Sequence, residues 1–330
     1  MERALIIGGT RFIGRHLVEE FLDNGYEVTL FNRGKHPNPF AKYDGVQHVK
    51  GDRASGAAIA EAAEQSEAQV VVDTVAYYPG EVELATRWLD GIEGHDVEAY
   101  VYISSGSAYG VDEIPKREGE TPLEPCTDEQ AVDDSHDTYG ARKAEGDRMI
   151  FEAAEHGFPA TSVRPTIVYG SHDYTGRFNY WVERVRAHDR ILVPGDGTNI
   201  HHLVAVENVA RAIRAVAEEG ESGEVYNVGD RRVLTLGEVV ETIADVLDRD
   251  VELVPASARE LAAGDLEPTD FPLYNPDVHV LSTAKLADIG WDPLSPREAF
   301  ERAIEGPVDP ERDPGPERDA EERVIDSLTD

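Results

Sequence analysis

Lysine is scarce in this chain. Six lysines, at positions 35, 42, 50, 116, 143 and 285, stand in 330 residues, and arginine supplies the other 25 of the 31 basic side chains. Against them stand 66 Asp and Glu, a formal net charge of −35. A chain so poor in positive charge has no basic stripe for a phosphate backbone, so no nucleic-acid partner is expected. Self-repulsion of this size destabilises a compact chain in dilute buffer. It is screened at molar salt, where the Debye length is about 3 Å. The acids are spread along the chain rather than blocked, which reads as adaptation to a salt-rich cytosol. The alternative is an acidic surface for a cationic partner.

Cysteine is nearly absent as well. The single Cys126 excludes an internal disulfide and suits a reducing, cytoplasmic compartment. Its neighbours Glu124 and Glu129 are acidic and would not lower a thiol pKa, so the residue reads as inert. No apolar run approaches the roughly 18 residues of a membrane span, and no basic segment followed by an apolar one opens the chain. Neither membrane insertion nor secretion is expected. No metal site is expected either, because nothing completes a ligand set around His201-His202.

What remains is a globular composition, 40% hydrophobic, with strongly ordered patterning. Strand-like runs at 4–7, 27–31, 47–49, 70–76, 100–104 and 160–163 alternate with segments carrying apolar residues at helical spacing, such as 56–66 and 82–89. Alternation of this kind predicts right-handed crossovers and a doubly wound parallel sheet, with ligands at the carboxyl ends of its strands. After about Tyr169 the pattern loosens. Helices are expected at 177–187, 206–218 and 236–247, and a strand at 224–228. We read 1–168 as a dinucleotide-binding domain with return segments near 201–230, and 169–305 as a smaller domain interleaved with it. Residues 306–330, rich in Pro, Asp and Glu, read as a solvated, flexible tail with at most one short helix.

The first strand runs directly into Gly8-Gly9-Thr10-Arg11-Phe12-Ile13-Gly14, followed by an amphipathic helix. Glycines let backbone approach a pyrophosphate, and the helix offers unpaired N–H groups and the positive end of its dipole. The second strand ends at Asn32-Arg33. An acid at this position serves the 2′-hydroxyl of NAD, whereas an arginine suits the 2′-phosphate of NADP. Asn32 in place of the acid, with Arg33 and Arg11 nearby, favours NADP over NAD. The plainer reading is that Arg33 caps a loop and Arg11 pairs with a neighbouring acid. Asp52 and Arg53 close the third strand; Asp52 can accept from an adenine amino group or simply form a turn.

Tyr139-Gly140-Ala141-Arg142-Lys143 places Lys143 one helical turn from Tyr139. A nearby ammonium favours the phenolate and fits Tyr139 for proton exchange with a hydroxyl or carbonyl. Alone, a Tyr-x-x-x-Lys match is weak. The strand ending Ser104-Ser105-Gly106-Ser107 raises its meaning, since Ser105 can bond the oxygen that Tyr139 protonates, although serines at strand ends are commonly turn formers.

The glycine turn, the serine-ended strand and the Tyr-x-x-x-Lys helix, in this order, resemble the extended short-chain dehydrogenase/reductase superfamily, in its epimerase/dehydratase branch. The likeness spans about residues 3–300. It continues through Arg164-Pro165-Thr166-Ile167-Val168-Tyr169-Gly170, Tyr226-Asn227-Val228-Gly229 and Gly290-Trp291-Asp292-Pro293. The resemblance implies a Rossmann-type α/β fold with a smaller α/β substrate-binding C-terminal domain. It also implies a bound NAD(P), contacts to it from the glycine turn and Pro165, a homodimer, and Ser105, Tyr139 and Lys143 as the catalytic group. Lys143 is then also the clamp on the nicotinamide ribose. Dehydratases of the family follow the hydroxyl with an Asp-Glu pair; Gly106 and Ser107 stand there, which argues against a 4,6-dehydratase. Nucleotide-sugar members carry an Asn and an Arg where this chain has Thr166 and His201. Ser107, Thr166, Arg177 and His201 are therefore the substrate candidates, with Arg184 as an alternative to Arg177 for an anionic contact. The arginine-bearing turn also resembles a sub-branch with chloroplast RNA-binding relatives.

The leading expectation is an NAD(P)-dependent epimerase or oxidoreductase of a small sugar or nucleotide sugar. The alternatives are a dehydrogenase or reductase of a non-nucleotide substrate, a binding or regulatory protein that kept the fold without the chemistry, and plain helix-surface roles for Tyr139 and Lys143.

Overall fold

Short runs of Val, Ile, Leu and aromatic residues make the strands of a parallel sheet, the inner ones buried on both faces and the edge strand 46–50 partly exposed. In the computed structural model, which describes residues 2–308 and 315–329, these are β1 (Arg3–Ile7), β2 (Glu27–Asn32), β3 (Val46–Lys50), β4 (Val70–Asp73), β5 (Ala99–Ile103) and β6 (Ala160–Pro165). With Val225–Val228 they form a seven-stranded sheet in the order Val225–Val228, β6, β5, β4, β1, β2, β3, every neighbour parallel. Strand order reverses between β1 and β4, where Ile7 pairs with Asp73. Ligands of open α/β sheets bind outside the strand ends at such a switch point.

The crossovers include α1 (Phe12–Asp23), α2 (Gly56–Ser66), α3 (Pro79–Asp90), the short α4 (Asp128–Val132) and α5 (Tyr139–Glu155). Local chemistry starts several of them. Ser55 caps α2 by accepting from the Ala58 N–H, and Pro79 opens α3 with its fixed φ. One core of this unit holds Leu5, Ile7, Phe31, Ile59, Val71, Tyr100, Tyr102 and Ile150. The expected fourth strand, 70–76, is shorter than read because the chain leaves the sheet at Asp73, whose carboxylate turns back to accept from Val75 N.

The chain divides into two units. The first comprises Met1–Thr166, Val206–Gly229 and Leu281–Pro293; the second comprises Ile167–Ala205, Asp230–Val280 and Leu294–Asp330. The segment Leu281–Pro293, which sequence reading left in the smaller domain, belongs to the first unit. Long-range bonds hold it there: Ser282 N donates to Lys116 O, Trp291 Nε1 to Asn208 O, and Lys285 Nζ to Val225 O.

The second unit pairs Arg190–Pro194 with Glu252–Ala256 and Ile167–Tyr169 with Leu203–Ala205, both parallel. Helices Arg177–Ala187, Leu236–Leu247 and Pro296–Glu305 enclose a core that includes Trp181, Leu192, Ile243 and Phe300.

The expected tail also differs from the fold. Residues 309–314 and 330 lie outside the described residues, but Arg318–Thr329 is a twelve-residue helix that buries Val324 and Ile325 in this core. Its acidic composition concealed the docking, because one acid is buried by partners from elsewhere. Glu321, 1% exposed, accepts from Tyr180 Oη at 2.6 Å, Arg184 Nε at 2.7 Å and Arg318 Nη1 at 2.9 Å. Glu321→Ala should therefore cost about 2 kcal/mol in a denaturant titration, as loss of charge-assisted bonds leaves two guanidinium groups half-buried. An unchanged unfolding midpoint would remove this latch from the account.

Candidate active site

The glycine turn joins β1 to α1. Gly8 and Gly9 have φ of +114° and +85°, and a Cβ on Gly8 would lie 2.1 Å from Thr74 Oγ1. A Cβ on Gly14 would lie 2.7 Å from Gly9 N, so the turn closes on the helix start only without side chains. Phe12 takes φ +26°, and Arg11, at the N-cap, makes no side-chain capping bond. With no acid in the first turn of α1, its N-terminus suits an anion such as a pyrophosphate. Thr10, Arg11 and Ile13 of the same turn are partly exposed. The residues present fit a dinucleotide.

At the end of β2, Asn32 ties strand to turn. Its Nδ2 donates to Gly8 O at 3.0 Å, while its Oδ1 accepts from Gly34 N at 2.8 Å and meets His48 Nε2 at 3.1 Å. Arg33 is exposed. Asp52 is exposed and accepts from Ala54 N at 3.1 Å, the turn role named above.

Arg53 is not open to a ligand as sequence reading expected. Its Nη2 donates to the fully buried Asp73 Oδ2 and to Glu81 O at 3.0 Å. Such buried pairing is strongly favoured over leaving Asp73 uncompensated.

β5 ends in the serine turn. Ser104 is buried and donates to Asp147 Oδ2 at 2.9 Å, whereas Ser105 is half-buried and its Oγ accepts from Ser107 N at 3.1 Å. Ser107 is exposed. The first turn of α5 lies against this loop because residue 140 is glycine: a Cβ there would sit 2.4 Å from Ser107 O.

α5 carries Tyr139, Lys143 and Asp147 on one face at four-residue spacing. Lys143 Nζ donates to Ala76 O in the loop after β4 and to Ile103 O at the end of β5, both at 2.8 Å. It lies 5.8 Å from the Tyr139 ring centroid, 4.9 Å from that of Tyr102 and 5.3 Å from that of Tyr77. Burial pulls the Lys143 ammonium down to about 8, against the partly compensating fields of Asp73, Asp147 and Glu81. Tyrosine and lysine are thus brought together as the spacing predicted.

Pro165 is buried at the end of β6, paired with Val228, and the next residue, Thr166, donates its N–H to Val228 O at 2.9 Å. Thr166 Oγ1 is buried without a hydrogen-bond partner. In the second unit, Arg177 Nε donates to Thr175 Oγ1 at 3.2 Å. Arg184, the alternative anion contact, is instead committed to Glu321 and to Pro316 O. His201 is 1% exposed, both ring nitrogens lack a partner, and burial pulls it down to about 4. It is a neutral imidazole and supplies no cation. His202 meets Asp230 O at 2.8 Å through Nε2.

Sequence reading missed the polar network behind the site. Asp147, fully buried, accepts from Arg164 Nε at 2.8 Å, from Ser104 and from Ser162. The Arg164 guanidinium lies 4.6 Å from the Tyr109 ring centroid, and Tyr109 Oη donates to Asn227 Oδ1 at 2.8 Å. The four-residue step from Lys143 to Asp147 was a visible signal; the partnership with Arg164 was not.

The sheet order, the glycine turn at the switch point and the helix N-terminus behind it define a Rossmann-type dinucleotide-binding α/β protein. The sequence model of the NAD dependent epimerase/dehydratase family matches residues 4–229, and the chain belongs to that family. Among curated relatives, a chloroplast stem-loop binding protein of 41 kDa from Arabidopsis thaliana is 28% identical, covering 88% of this chain and 75% of its own. A low-salt glycan biosynthesis protein of Haloferax volcanii is 25% identical, covering 92% and 97%.

Among solved structures, the dTDP-glucose 4,6-dehydratase of Bacillus anthracis in complex with NAD superposes with a TM-score of 0.70 at 21% identity, covering 92% of this chain and 96% of its own. The UDP-glucose 4-epimerase of Thermotoga maritima with UDP-glucose gives 0.70 at 20% identity, covering 92% and 97%. Among the described residues, no helix is long and apolar enough to cross a membrane, and no three His, Cys, Asp or Glu are grouped to hold a metal.

Proposed function

We propose that the chain is an NAD(P)-dependent epimerase or oxidoreductase of a sugar-type substrate, with Tyr139, Ser105 and Lys143 as its reacting group. The observation that carries this reading is the placement of Lys143: a buried ammonium, held by Ala76 O in the loop after β4 and by Ile103 O at the end of β5, facing the Tyr139 ring. The turn Gly8–Gly14, the end of β2 and the exposed Asp52 after β3 hold the dinucleotide. When bound, the nicotinamide supplies the hydride acceptor and donor. Tyr139 exchanges the proton of the substrate hydroxyl or carbonyl, Ser105 anchors that oxygen, and Lys143 keeps the phenol acidic. No carboxylate follows Ser105, where Gly106 and Ser107 stand, so elimination chemistry of the dehydratase kind is disfavoured. Mass spectrometry of the ligand released from freshly purified protein tests the reading; recovery of no dinucleotide, with no binding of added NAD(H) or NADP(H), would overturn it.

The NADP preference rests on the missing acid at Asn32, whose side chain is occupied by Gly8, Gly34 and His48, and on the exposed Arg33. Structural neighbours are described with NAD and lend the NADP reading no support, so it rests on this chain's own residues alone. Arg33→Ala should weaken NADPH about tenfold in a fluorescence titration, the scale of one charge-assisted phosphate contact, and leave NADH unchanged. Equal loss for both cofactors would refute the preference.

A binding role is the second reading, favoured by the stem-loop binding relative. The net charge of −35 opposes it. Retention of a stem-loop RNA at physiological salt, with no dinucleotide bound, would favour it.

A further inference from the structure

Two cations are buried in the first turns of α5 with no carboxylate in direct contact, although Asp73, Asp147 and Glu81 act on Lys143 and Asp133 on Arg142 from farther away. Lys143 bonds only backbone carbonyls through its ammonium. Arg142, 4% exposed, donates through Nη1 to Tyr77 O at 3.1 Å, through Nη2 to Ser135 O at 3.1 Å and through Nε to Thr138 Oγ1 at 3.3 Å. Among the described residues neither has an ion-pair partner. The Arg142 guanidinium carbon lies 5.0 Å from the Tyr78 ring centroid and 6.0 Å from that of Tyr139. Its three donors join the loop after β4 to the residues that lead into α5.

We propose that Arg142 is a positioning residue that sets the ionisation of Tyr139 with a second, permanent positive charge while bracing the two loops beside it. The proposal rests on the proton-exchanging role assigned to Tyr139. A guanidinium held by neutral oxygens in a buried site, 6.0 Å from the Tyr139 ring centroid, favours the anionic form of that phenol. Lys143 cannot supply this field alone, because burial has brought its own titration down to about 8. A guanidinium does not titrate in this range, so Arg142 holds the phenolate where the ammonium is partly neutral.

Titratable groups from the neighbouring elements also act on Tyr139, Arg142 and Lys143, Cys126 before α4 among them. Tyr102 faces Tyr139 from β5. The loop after β4 and the start of α3 bring Tyr77, Tyr78, Asp73 and Glu81, the two acids acting on Lys143. Asp133 faces Arg142 from before α5, and Asp147 lies one turn beyond Lys143. The Ser105–Ala108 turn contributes no carboxylate.

The test is an ultraviolet difference titration of tyrosinate in the full-length protein, read against Tyr139→Phe to isolate the Tyr139 signal. In the wild type, Tyr139 should ionise below the ordinary tyrosine value near 10. Arg142→Gln should raise its midpoint by about one pH unit, the scale of one charge beside the ring in a partly screened site. Arg142→Lys keeps the charge and should stay within a few tenths of the wild type, approximately. An unmoved midpoint in the Gln variant reduces Arg142 to a brace and overturns the proposal. If the Gln variant does not fold, the Lys variant decides: a midpoint raised by a full unit there also overturns it. The readout needs no turnover, so a shifted midpoint with turnover indifferent to Tyr139→Phe would sink the enzymatic reading and leave this one standing.

Discussion

Tyr139→Phe should lower turnover by about 10³-fold and leave dinucleotide binding unchanged, the result expected when one positioned acid–base group is removed. The ring remains, so the packing near Lys143, Tyr102 and Arg142 is kept; only the proton-carrying oxygen goes. UDP-glucose and dTDP-glucose, named with the structural neighbours, are the first substrates to try. An epimerase gives a new sugar with no net change in reduced-nicotinamide absorbance, and a dehydrogenase gives a steady change. Lys143 adds a pH signature: its ammonium is charged below about 8 and neutral above, so support for the phenolate fades as pH rises through that value in the cofactor-free protein. Wild-type rates in the Phe variant would remove Tyr139 from the chemistry.

The second large effect is on stability. Asp147→Ala should cost about 3–5 kcal/mol, because it leaves Arg164 buried and unpaired. Both partners are essentially inaccessible, at 0% and 2% side-chain exposure, and the carboxylate also receives Ser104 and Ser162. Replacing both members with apolar residues, Asp147→Leu with Arg164→Met, should cost less than the sum of the single changes, since no charge is stranded. Chemical denaturation of the four proteins measures the coupling; strictly additive losses would show that the pair is not a unit. Because Ser104 bonds Asp147 and precedes Ser105, the same network fixes where the serine turn leaves β5.

Much of this was legible in the sequence for a local reason. Strand and helix periodicities, the glycine turn and the one-turn step from Tyr139 to Lys143 are properties of neighbouring residues. Helices 177–187 and 236–247 were read at the bounds they take. Gly140 and Gly146 only later acquire a reason, as the missing side chains that let α5 lie against Ser107 and Tyr102.

The misreadings concern charge. Arg53 and Arg184 looked free to meet a ligand and are consumed by Asp73 and Glu321; the acidic C-terminal segment looked solvated and docks through Glu321. Arg142 stood inside the quoted motif without a role. Sequence alone determined the order of elements, the glycine turn at the first strand end and the helical spacing that sets Tyr139 beside Lys143. Tertiary structure decided which charges remain available to act, because a buried charge is settled by partners far away in the chain, and no local spacing records who they are.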